Sequence, residues 1–170
     1  GLIEGKRFLD ADFSVKNLTD SLNGRFNIVH FASHFRLGPD WSSSALILGG
    51  GSLLSLKDIS STPAISFADV ELVTLSACNT ALTTSSNGIE VDSLAEAIQA
   101  KSGKAVLATL WSVYDESTSS LMKDFYRIKT SDPSLTKAAA LQQAQKKMIA
   151  DAKFSHPYYW SPFTLIGDWR

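Results

Sequence analysis

Cysteine is nearly absent from this chain: Cys78 is the only one in 170 residues. One thiol excludes an internal disulfide framework, and without a second it argues against a structural zinc site. The expected compartment is therefore reducing, and the expected location cytoplasmic. A charge surplus is also missing. The formal net charge is -1, whereas a protein that neutralises phosphates needs a basic excess, so nucleic acid is not an expected partner. No apolar run is long enough to span a membrane, and the first residues lack the basic, apolar and small-residue order of a signal peptide. No two histidines have metal-ligand spacing on a helix, and no carboxylates cluster with them, so no metal or cofactor is expected. An initiator methionine is missing too. The opening Gly1-Leu2-Ile3-Glu4 reads as a fragment cut from a longer protein.

What is present is core. The chain is 44% hydrophobic, enough at this length for one domain spanning 1–170. Residues 1–25 read as an N-terminal arm, with Phe8 and Phe13 as anchors, followed by a short helix. That helix is expected at about 14–22, with Val15, Leu18 and Leu22 in helical spacing, Ser14 as N-cap and Gly24 as stop. Phe26 to Ser33 reads as a strand covered on both faces, with Ile28, His30, Ala32 and His34 on one side by alternation. Ser44 to Ser55 reads as a hairpin around Gly49-Gly50-Gly51, whose glycines supply positive φ. A phosphate-cradling loop is the rival there, but no Gly-Lys-Ser/Thr follows.

Leu56 to Ser60 reads as one helical turn. Glu71 to Ala77 is expected to be a second buried strand, and Lys104 to Leu110 a third. Helices are expected over about 90–100, over 117–129 and from Leu135 to about Ala150. The segment Phe163 to Ile166 closes the chain as a last strand. Strands that alternate with helices imply an α/β fold with a mostly parallel central sheet and helices on both faces. In such sheets, sites form beyond the carboxyl ends of the strands.

Three chemically capable residues fall at those ends: His34, Cys78 and Asp115. A thiol and an imidazole brought together by two core strands suggest a Cys/His nucleophilic site, with His34 holding or taking the Cys78 proton and backbone N–H groups near both residues stabilising an oxyanion. Cys78 is followed by polar Asn79 and Thr80, which favours a solvent-facing thiol over an inert core one. His30 competes for the role of base, but its place inside the strand reads as structural, hydrogen-bonded in or under the site. His156, in an aromatic loop, suits packing or a surface role. The Thr83–Gly88 loop reads as exposed, and as the place for an activating rearrangement or a processing cut.

Four ordered blocks carry a resemblance. His-Phe-Ala-Ser-His, Leu-Ser-Ala-Cys-Asn-Thr-Ala, Ala-Thr-Leu-Trp-Ser-Val-Tyr-Asp-Glu-Ser-Thr and His-Pro-Tyr-Tyr-Trp-Ser-Pro-Phe-Thr-Leu-Ile-Gly-Asp resemble the blocks of CHAT domains. These are caspase-like cysteine peptidase domains related to separases that often follow TPR repeats. The resemblance covers nearly all of the chain from about residue 26. It implies a three-layer caspase-like α/β/α sandwich, a general base at His34, a nucleophile at Cys78 and oxyanion backbone at Phe35 and Cys78. It also implies hydrolysis of a protein or peptide substrate by a bacterial protein gated by an upstream TPR region or partner. A substrate pocket of Asp115, Trp111 and Asn79 would suit a basic side chain before the cleaved bond. The chain departs from the family at two positions. Phe35 stands where glycine is usual after the histidine, and Asn79 where an acid is frequent after the cysteine. A catalytically silent interaction module is thus the alternative to a peptidase. A nucleotide-binding α/β domain is a third reading, resting on architecture and the glycine run.

Overall fold

Capping and apolar spacing decide where the helices begin. In the computed structural model, helix α1 (Val15–Leu22) starts at Ser14, whose hydroxyl accepts the Asn17 amide at 3.3 Å, and it buries Leu18 and Leu22. Residues 4–24, 26–76 and 93–170 are described in full, with backbone alone at 78–79 and 89–92. The Thr83–Gly88 loop lies outside the described residues.

The strand expected at Phe26 to Ser33 is shorter, and a second strand follows it after a break. β1 (Ile28–Phe31) stops, Ala32 and Ser33 break the ladder, and β2 (His34–Arg36) begins at His34. The Ser33 hydroxyl donates to the Ile47 carbonyl at 2.5 Å, so the break is anchored by a side chain that a continuous strand would leave free. In the second core segment β5 (Leu72–Leu75) lies within the expected Glu71 to Ala77, and β6 (Cys78–Asn79) comes after that range.

The segment between them holds β3 (Ala45–Ile47), β4 (Leu53–Ser55) and α2 (Leu56–Ser61). β3 and β4 form the expected antiparallel hairpin, with Leu46 opposite Leu54. Gly50 and Gly51 take φ of 67° and 78° in its turn, a conformation in which a Cβ is strained. Gly49 serves a different purpose: a Cβ there would lie 1.5 Å from the Asp10 carbonyl oxygen. Its amide donates to the Phe13 carbonyl at 2.8 Å, which docks the N-terminal arm on the hairpin. A reciprocal capping box at Ser55 and Asp58 starts α2, satisfying amides that a helix terminus otherwise leaves unpaired.

The remaining elements are α3 (Ile89–Ala100), β7 (Ala105–Thr109), α4 (Asp115–Ser131), α5 (Lys137–Ala150) and β8 (Phe163–Gly167). Helix α4 starts two residues before the expected Ser117. The acids Asp115 and Glu116 sit in its first turn, where the helix dipole favours them. The main sheet has the order β1-β5-β7-β8, with parallel pairs throughout except the antiparallel edge β8. A second sheet has the order β4-β3-β2-β6, and β2 and β6 are parallel.

Two-residue alternation divides the core into two layers. On β5 and β7, Val73, Leu75, Val106 and Ala108 pack with Leu94, Ala95 and Ile98 of α3 and with α1 and α2. Leu72, Ala105 and Leu107 point the other way, into Leu121, Phe125, Leu141 and Ala144 of α4 and α5. β5 and β7 are buried along their whole length, as strands covered on both faces must be. This is the α/β/α sandwich with a mostly parallel centre that was expected. One expectation fails at β1, which is an edge strand rather than a covered one, with His30 exposed and only Phe31 buried.

Candidate functional site

The two breaks make the site. Phe31 pairs with Leu75 in β1 and β5, and His34 pairs with Cys78 in β2 and β6. The offset is the same on either side of the gap, so the two pairs of strands keep one register. The Ser76 amide donates to the Phe31 carbonyl at 2.9 Å within the gap, which keeps the alignment. Residues 34 and 78 thus open their short strands directly beside one another, and neighbouring strands lie about 4.8 Å apart. Neither residue ends a strand, as the sequence reading had it; each begins one.

His34 and Arg36 are on the exposed side of β2, and Phe35 is buried at 3% exposure. Phe35 packs in the first core layer and is paired with Leu46 on one side and Asn79 on the other. Its backbone therefore lies in ordinary extended conformation inside a sheet.

The third element is the loop after β7. β7 lies next to β5 in parallel, with Ala108 beside Leu75, so the 110–114 loop and Asp115 leave the same end of the sheet as β6. The Trp111 indole donates to the Tyr158 carbonyl at 3.2 Å, and the Tyr158 hydroxyl donates to the Ser112 carbonyl at 2.8 Å. Tyr114, Tyr158 and Tyr159 stack around this stitch at centroid distances of 5.6 to 6.2 Å. His156, exposed, caps the aromatic turn by accepting the Tyr158 amide at 3.2 Å, a local structural task. Asp115 is exposed. No hydrogen bond or ion pair among the described residues joins Asp115 or Trp111 to His34. Among the same residues no three of His, Cys, Asp and Glu stand together as a metal site requires, and no helix is long and apolar enough to cross a membrane.

His30 is engaged at both nitrogens. Nε2 lies 2.9 Å from the Ser76 hydroxyl, and Nδ1 lies 3.2 Å from the Tyr126 hydroxyl, which in turn lies 2.8 Å from the Thr74 hydroxyl. The ring has an open side toward a cavity of about 610 Å³ beside β1, walled by the arm, by α1 and by Phe26 to Ala32. Elsewhere protein atoms crowd it, and that loss of hydration lowers its pKa from 6.5 to about 4. Burial likewise pushes Tyr126 up to about 12. At neutral pH both are uncharged.

The sequence shows part of this chain of hydroxyls: it marks His30 as a hydrogen-bonded structural histidine but does not single out Thr74, Ser76 and Tyr126. The signal was there: Thr74 is the one polar residue in the strand Leu72-Val73-Thr74-Leu75, and a buried hydroxyl needs a partner.

A family model described as "CHAT domain" matches residues 2–168. No curated protein matches the chain.

Proposed function

The chain belongs to the CHAT-domain family, a caspase-like and peptidase-related domain, and we propose that it is a cysteine endopeptidase working through His34 and Cys78. The in-register pairing of these two residues carries the reading. In-register neighbours of a pleated sheet share a face, and His34 is on the open face of β2. A thiolate nucleophile at Cys78 needs such an imidazole as its base.

In the reaction His34 takes the thiol proton and the thiolate attacks the carbonyl carbon of the scissile peptide bond. The carbonyl oxygen becomes an oxyanion held by backbone N–H groups at Cys78 and Phe35. The C–N bond breaks as His34 returns the proton to the departing amine, leaving a thioester on Cys78. Water, deprotonated by His34, then attacks the thioester, releasing the acid and regenerating the thiol. A pocket of Asp115, Trp111 and Asn79 would receive a basic side chain before the cleaved bond. The substrate is a protein or peptide, an upstream TPR region or partner is the gate, and the place of work is the cytoplasm of a bacterium.

A silent interaction module is the second reading, and Phe35 is the observation that favours it. Its ring is buried and its backbone is extended between two strands, where the family usually has the freedom of glycine.

Alkylation of the one thiol separates the two. Its rate is followed against pH in the wild type and in His34→Ala. A peptidase site gives a fast rate near neutrality that drops in the variant, and Cys78→Ala in the full-length protein abolishes cleavage of a peptide library. A slow rate indifferent to His34, or cleavage that survives Cys78→Ala, would overturn the peptidase reading.

A further inference from the structure

We propose that the hydrogen-bonded chain Thr74–Tyr126–His30–Ser76 is a positioning device that sets Cys78 beside His34, by fixing the point at which β5 gives way to β6. The proposal rests on the peptidase reading of that pair. It starts from where the four residues sit. Tyr126 comes from the middle of α4, Thr74 from β5, His30 from β1, and Ser76 from the position just after β5. The chain thus ties three elements of the sandwich to Ser76, two positions before Cys78. Ser76 is held twice: its hydroxyl by His30 at 2.9 Å and its amide by the Phe31 carbonyl at 2.9 Å.

The protons also fit. A neutral imidazole donates at one nitrogen and accepts at the other. If Tyr126 donates to Nδ1, then Nε2–H donates to Ser76 and Thr74 donates to Tyr126; reversing every bond is the alternative. Either way the central Tyr126 hydroxyl both gives and receives, and both imidazole nitrogens are paired. A network linked in this way is rigid, and removing one member leaves its neighbours unpaired.

Ser76 and His30 have the spacing of a nucleophile and its base, so a second hydrolytic centre has to be weighed. The base decides against it. An imidazole with a pKa near 4 is a poor proton acceptor at neutral pH, where a general base works best with a pKa near that of the medium. Both of its nitrogens are moreover committed. The geometry is that of a brace.

Two variants test the brace. Ser76→Ala removes its last link at the gap, and Tyr126→Phe keeps the ring with its edge-on contact to Phe125 at 5.3 Å while removing the central hydroxyl. Far-UV circular dichroism confirms that each is folded. The expected result is a roughly tenfold slower alkylation of Cys78 at pH 7, the change that a one-unit rise in thiol pKa brings, with the pH midpoint of the rate moved upward. Ser76→Thr, which keeps the hydroxyl, restores the wild-type profile. Rates and midpoints unchanged in both variants would overturn the proposal. Amide hydrogen exchange over residues 76–79 is read in parallel. If wild-type alkylation ignores His34→Ala, the peptidase reading has failed. Exchange then decides on the brace alone: faster exchange confined to that segment in Ser76→Ala supports it, and unchanged exchange refutes it.

Discussion

His30 is the residue whose chemistry most clearly follows from its surroundings. Crowding by protein atoms holds it neutral in the folded state, with a pKa of about 4 against 6.5 ordinarily. The unfolded chain therefore binds a proton that the folded chain does not, throughout the interval between those values. Stability rises with pH in that window and is lost as pH falls through it, levelling off below about 4. The ring keeps an open side to the cavity, so the slope is shallower than for an enclosed histidine. Urea midpoints at pH 7 and pH 5 should therefore move closer together in His30→Gln than in the wild type, since glutamine can hydrogen-bond but does not titrate. At the same scale the glycine run shows how identical residues differ in duty. Gly50 and Gly51 answer a backbone angle, while Gly49 answers a contact, the 1.5 Å that would separate its Cβ from the Asp10 carbonyl oxygen. Gly49→Ala pushes the arm off the hairpin. An expected loss of about 1–3 kcal/mol, read by thermal melting, follows from overpacking of this kind.

Among the elements, the helices were the most legible in the sequence and the strand ends the least. Leu18 and Leu22, or Leu121 and Phe125, recur at helical spacing in the sequence and are the buried stripes of α1 and α4. Thr136, not foreseen as a cap, accepts the Ala139 amide at 3.1 Å and starts α5 two residues later than apolar spacing suggested. The strands at Phe26 to Ser33 and Glu71 to Ala77 were recognisable from their apolar content, but their interruptions were not. What breaks the first is a hydrogen bond from Ser33 to Ile47 fourteen residues away, and no local pattern carries such a contact. The same holds for the site. His34 and Cys78 were singled out because chemically capable residues follow apolar runs, yet their pairing in one register depends on the partner strand. The edge position of β1 was hidden for that reason too: an apolar run reads alike in the centre of a sheet and at its border, and only topology separates them.

At the scale of the whole molecule, two core layers share one sheet, and the second is the more separable. It is closed by α4 and α5, which pack on each other through Leu121, Phe125, Leu141 and Ala144 and cover Leu72, Ala105 and Leu107. Phe125 is fully buried at its centre. Phe125→Ala should cost about 3–5 kcal/mol through lost transfer energy and the cavity left behind. In a chain of this size that lowers Tm by roughly 10 °C, measurable by calorimetry. The unbroken register across the two gaps also has a consequence in time. Parallel strands cannot meet through a tight turn; the chain between β1 and β5 must first fold back as a long loop. During synthesis His34 is made well before Cys78, and the two remain apart until β5 has zipped along β1. Contacts of this long-range kind form slowly relative to helices. Whatever chemistry the pair performs therefore starts late in the life of the newborn chain, after the sheet that supports it is in place.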